Sequence, residues 1–199
     1  MKRQLPGMAA LLVVGLCCLC AGCSGPADQE AVKNIESAGG KVKIDKDGRV
    51  IEVDLSRTPG NDALIAELAA LPDLQSINCS EMRIKGTGLT ALSGLRNVHT
   101  LFLVGTPLKD NAMPAIAKLT SLRTLHLGRT EITDAGLPAL RHLTNLRTLS
   151  LGHTAITDAG LVNLRGLHDL STLIVHHTNV TEAGVRDLRR SLPDTRIEN

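Results

Sequence analysis

Aromatic side chains are nearly missing from this chain: its 199 residues hold one Phe and no Tyr or Trp. A core without rings must be filled by Leu, Ile, Val and Ala, which many similar small layers do well. Outside the core, the shortage argues against two ligand classes. Sugar-binding surfaces usually rely on aromatic faces, and single-stranded nucleic acid needs stacking platforms in a positive groove. The apolar run from Met8 to Cys20, broken only by Gly15, is thirteen residues long, short of the roughly 20 that span a bilayer. Cys17, Cys18, Cys20 and Cys23 fall within that run or just after it, so Cys79 stands alone in the rest of the chain. No disulfide framework and no cysteine metal cage is expected there. An excess of one charge is also lacking. Without Lys2 and Arg3 the 22 basic residues fall to match the 20 acidic ones, which removes the whole-protein case for nucleic acid or an anionic membrane.

The basic start and short apolar run suit a signal segment, here residues 1–22. The run ends in Cys20-Ala21-Gly22-Cys23, followed by Ser24-Gly25-Pro26. Small residues before a cysteine resemble the bacterial lipobox, which implies cleavage before a lipid-modified Cys23. The usual Leu three residues before the cysteine is replaced by Cys20, with Leu19 one step back. Ordinary secretory cleavage fits the same stretch. Lipidation implies the cell envelope of a bacterium, and Ser24 rather than Asp after the cysteine points to the outer membrane. Residues 23–27 then form a tether.

What the chain has in abundance is self-similarity. At steps of 24 residues, Val50, Leu74, Val98, Leu122, Leu146 and Leu170 recur, followed by Val53, Ile77, Leu101, Leu125, Leu149 and Leu173, then Leu55, Cys79, Leu103, Leu127, Leu151 and Val175. The Leu-x-Leu part alternates as a strand does, and the second half of each copy, as in Leu137, Leu140 and Leu143, has apolar residues every third position and reads as a short helix. Thr133 or Asp134 can cap its first amides. Gly136, Gly160 and Gly184 recur near the helix start, where a missing side chain would let helix and strand approach closely.

This pattern resembles the 24-residue, helix-bearing leucine-rich repeats of bacterial proteins and of F-box proteins, over residues 50–193. The resemblance implies an α/β solenoid, an arc of parallel strands on the concave side and short helices on the convex side. Where many relatives place Asn, this chain has Thr58, Met82, Thr106, Thr130, Thr154 and Thr178. A threonine hydroxyl can do part of that work and Met82 cannot, so the turn at Met82 should be the loosest. Residues 28–49 read as an amino-terminal cap: a helix from Asp28 to Ala38 with Val32 and Ile35 on one face, stopped by Gly39-Gly40, then a hairpin over the stack's edge. Residues 194–199 form a tail strand. No room remains for a catalytic domain, and no catalytic residue or cofactor is expected.

The exposed strand positions are the candidate binding surface. Their central column is Asp54, Asn78, Phe102, His126, Ser150 and Ile174, and Arg129, His153 and His177 stand in a flanking column. Variation there beside a near-constant Leu framework is what recognition permits, although exposed positions also vary without selection. Phe102 is either a hot spot or a strand residue chosen for β propensity. His126, His153, His176 and His177 raise the question of metal, but a solvated face is expected, since no carboxylate or thiolate completes a ligand set. Cys79 takes an inward Leu position and should be inert. The expected function is a lipid-anchored module that binds a protein or peptide, with acidic groups of the partner lying over the basic last three rungs. The alternatives are a structural envelope protein without a specific ligand and a metal site at the carboxy-terminal histidines.

Overall fold

The computed structural model describes residues 26–199. The signal segment and Cys23 lie outside the described residues. Helix α1 (Pro26–Ser37) precedes a hairpin of β1 (Lys41–Ile44) and β2 (Val50–Asp54). Six short strands follow: β3 (Ser76–Asn78), β4 (Thr100–Phe102), β5 (Thr124–His126), β6 (Thr148–Ser150), β7 (Thr172–Ile174) and β8 (Arg196–Glu198). All eight form one sheet in chain order; β1 and β2 are antiparallel and every later pair is parallel. Leu101, Leu125 and Leu149 stand in register, so the 24-residue sequence period is also the sheet's rung spacing. Because each rung returns its chain outside the sheet, the product is a one-dimensional stack whose stability resides in rung interfaces.

The three-residue spacing on the return side produces tighter helices than α. Gly88–Gly94 and Leu137–His142 are 3-10 turns, and α3 (Met113–Ile116) and α4 (Asp158–Leu161) each run for one turn of α-helix beside a short 3-10 piece. A 3-10 helix has three residues per turn, so side chains at every third position eclipse. Leu137, Leu140 and Leu143 therefore all enter the core, as do Leu89, Leu92 and Leu95. Longer α-helix occurs in α2 (Asp62–Glu67) and α5 (Glu182–Ser191). The buried Val185 and Leu188 of α5 and Leu192 at its C-cap follow the three-then-four spacing that 3.6 residues per turn demands.

The amino-terminal cap forms as a helix and hairpin, with α1 beginning at Pro26 rather than Asp28. Ala31 and Ile35 of α1 are buried, and Val32 is half-buried. The hairpin's outer strand is open: Ile44 is 53% exposed. Lys41 and Lys43 on that strand are exposed, and charged side chains on an edge discourage pairing with another chain. A groove of about 280 Å³ lies beside it, lined by Val32, Ile44, Val50, Leu71 and Pro72 among others. No helix of the described residues is long and apolar enough to cross a membrane.

The recurrent glycines have a different cause from the expected closeness of helix and strand. A Cβ at Gly136, Gly160 or Gly184 would collide with the carboxylate of Asp110, Asp134 or Asp158 on the preceding rung. Those carboxylates form a ladder. Asp134 accepts the Thr157 amide at 2.8 Å and its hydroxyl at 2.6 Å; Asp110 does the same to Thr133 and Asp158 to Thr181. Each of these hydroxyls also accepts an amide of its own helix start, from Ala135, Ala159 or Gly184. Thr thus caps its helix while Asp joins the next rung. The Asp158 carboxyl is held below the ordinary range, first by the Thr181 hydroxyl and then by its amide.

Candidate binding face

The strand positions project two columns from each rung. Glu52, Ser76, Thr100, Thr124, Thr148, Thr172 and Arg196 align in one; Asp54, Asn78, Phe102, His126, Ser150, Ile174 and Glu198 align in the other. Phe102 and His126 are half-buried neighbours with ring centroids 4.9 Å apart. Burial lowers the His126 pKa. Ile174 is half-buried in the same column. Three candidates are less available. The Asp54 and Asn78 side chains accept the Ser56 and Ser80 amides at 2.9 and 3.1 Å. Ser150 is only 9% exposed, a short side chain between the longer His126 and Ile174.

Just beyond the strands a third column turns sharply. Arg57, Glu81, Arg129, His153 and His177 all have φ between 56° and 61°, and Gly105 in the same column has φ of 69°. Left-handed backbone disfavours residues with a side chain, yet here its amides continue the inter-rung ladder: Arg129 donates to Gly152 at 2.9 Å and His153 to His176 at 3.0 Å. The Thr column supports that turn from inside. The hydroxyls of Thr58, Thr106, Thr130, Thr154 and Thr178 donate to the carbonyl three residues back at 2.6–2.8 Å. Met82 makes no such bond; its amide reaches the Cys79 carbonyl at 3.4 Å, against 3.1 Å for the equivalent amide of Thr58. Met82 is nonetheless buried, and apolar packing replaces the lost hydroxyl.

Charge on this face is uneven, with acidic Glu52, Asp54 and Glu81 toward the amino-terminal rungs and arginines toward the later ones. The acidic end is offset, because Glu52 pairs with Lys43 at 3.7 Å and Glu81 with Arg57 at 3.0 Å. Among the described residues Arg129, Arg123 and Arg147 have no ion pair, and all three are exposed. The excess is therefore local to these three arginines, since on the last rung Arg196 pairs with Glu198 at 3.1 Å.

The histidines come together more closely than the sequence suggested. His153 and His177 stack with centroids 4.3 Å apart, and His176 stands edge-on to both at 5.3 Å. His153 titrates below its ordinary value, through lost hydration first and then the charges of His177, Arg129 and His176. The pKa of Cys79 is raised by its complete burial, with the Asp54 charge adding to the effect. Burial and the raised pKa both disfavour the thiolate, which is the reactive form.

This architecture is a leucine-rich-repeat solenoid. Residues 120–163 match the family model described as leucine-rich repeats in two copies. An internalin of Listeria monocytogenes superposes with a TM-score of 0.58 at 22% identity, over 67% of this chain and 37% of its own. Internalin C2 of the same organism gives 0.54 at 21% identity, over 86% and 81%. A leucine-rich-repeat protein of Leptospira interrogans gives 0.58 at 18% identity, over 75% and 37%. The chain thus spans little more than a third of two of these proteins. No curated protein matches the sequence. A leucine-rich-repeat domain is typically a protein-interaction module, and its stacked rungs supply an extended surface for that use.

Proposed function

We propose that this chain is a lipid-anchored protein-interaction module of the bacterial cell envelope, held in the outer membrane by Cys23 and binding through its strand face. The observation that carries the reading is one aligned column of unlike side chains, with Phe102, His126 and Ile174 partly open, beside Arg123, Arg129 and Arg147, which make no ion pair among the described residues. A partner of protein or peptide class lies along the rungs and places acidic groups over Arg129, His153 and His177. Electrostatic complementarity of this kind sets register and association rate more than raw affinity. The small-residue cysteine motif after the apolar run supports the anchor, since acyl chains hold a protein at a membrane without a spanning helix. Cys23→Ala should leave an unprocessed or soluble precursor, read by membrane fractionation and by mass of the chain. A variant processed and membrane-bound as before would overturn the anchor.

A second reading has its own observation. Asp54 and Asn78 are occupied by local turn amides and Ser150 is nearly covered, which suits a structural envelope protein with no specific ligand. Capture of membrane-associated partners by the full chain, with and without Phe102 and Arg129, separates the two: only a recognition face loses partners with those side chains.

A further inference from the structure

The three imidazoles at the carboxy-terminal end of the strand face form a group that nothing in the fold requires. His153 and His177 occupy equivalent left-handed positions on successive rungs, with φ of 58° and 56°, so their side chains leave the backbone in parallel. His176 is aimed back at them by a small-residue seat: a Cβ on Gly152 would stand 2.8 Å from its Cε1 and 3.0 Å from its Nδ1. The result is two stacked rings, 24° from parallel, and a third ring turned 80–82° from both. One ring nitrogen from each lies within 4.8 Å of the others, and all three side chains are exposed.

We propose that His153, His176 and His177 form a binding site for one borderline divalent transition metal, of the Zn2+, Ni2+ or Cu2+ class. Imidazole nitrogens bind such ions at about 2.0–2.1 Å, so ligand atoms of one site stand at most about 4.2 Å apart. Small χ rotations of exposed side chains close the remaining gap. Three neutral nitrogens suit these ions and not Mg2+ or Ca2+, which take oxygen. Three protein ligands leave a coordination position open, for water or for a donor brought by a partner. The charge of nearby Arg129 opposes the ion, but its side chain is exposed and free to swing into solvent.

The test is Zn2+ titration of the full chain by calorimetry in excess Mg2+, with accessible thiols blocked by alkylation so that the amino-terminal cysteines do not compete. One ion per chain is expected. His153→Asn, His176→Ala and His177→Asn should each weaken binding at least tenfold, Asn being chosen where the backbone is left-handed. A single substitution costing less than tenfold, or a triple variant that binds as the parent does, overturns the site. Independently of any variant, nuclear magnetic resonance of the parent chain should show Zn2+ shifting the ring signals of these three histidines and leaving the other four of the seven unmoved; movement of the others instead also overturns it.

Discussion

Single inward residues carry most of what stabilises each rung. Leu149 is fully buried between Leu125 and Leu173. Leu149→Ala removes apolar contact and leaves a cavity, and should lower unfolding free energy by about 2–5 kcal/mol, measured by denaturant titration. Val162→Ala, at a position 45% exposed, should change it by no more than about 0.5 kcal/mol. His126 behaves differently because its imidazole is half-buried against Phe102. Its native pKa lies below the ordinary 6.5, so the unfolded chain binds the proton more readily. Stability from this group is complete above 6.5 and is lost as pH falls through that value toward the native one. His126→Gln should flatten the decline between pH 7 and 5 in the same titration; an unchanged slope would place the effect elsewhere.

Elements join through polar ladders that the sequence showed only in part. The Leu framework, the strand register and the hairpin cap could be read directly, because a period of 24 and simple alternation encode them. The helix type was in the sequence too, in an apolar spacing of three that reads as 3-10 once eclipsed packing is considered. Two things were harder. The Asp62, Asp110, Asp134 and Asp158 column repeats at multiples of 24, but its partners sit 23 residues on, across a rung boundary that a single-repeat reading does not cross. His176 stood in the sequence's histidine group, but its approach to His153 was not legible for a similar reason: the ring packs against Gly152, where a side chain would collide with it. The ladder makes its own prediction. The Asp158 carboxylate is stabilised in the native state, so its contribution is present above the ordinary carboxyl pKa of 3.8 and is lost as pH falls below it. Asp158→Asn should lower the thermal midpoint at pH 7 and shrink its fall between pH 5 and 3, followed by circular dichroism; parallel profiles for the two proteins would contradict this.

At the scale of the whole molecule, the described residues form a solenoid with one open strand face, and the anchor is a proposal that rests on the sequence around Cys23. Repeat architecture explains why so small a set of residue types suffices: the interior is the same layer again and again, while the strand face is free to differ at each rung. The most direct test of recognition on that face uses Phe102→Ala combined with Arg129→Glu. Glu is tolerated at that left-handed position, since Glu81 occupies its equivalent with φ of 61°. Arg141→Glu, exposed on the helix side, is the control. A partner crosslinked to the full chain at the envelope should bind the double variant at least about tenfold more weakly, as loss of a central hot spot implies, with the thermal midpoint unchanged. The same partner should bind the parent more weakly as salt rises and should not distinguish Arg141→Glu from the parent. Equal affinity of parent and double variant, with both folded, would contradict recognition through the strand face.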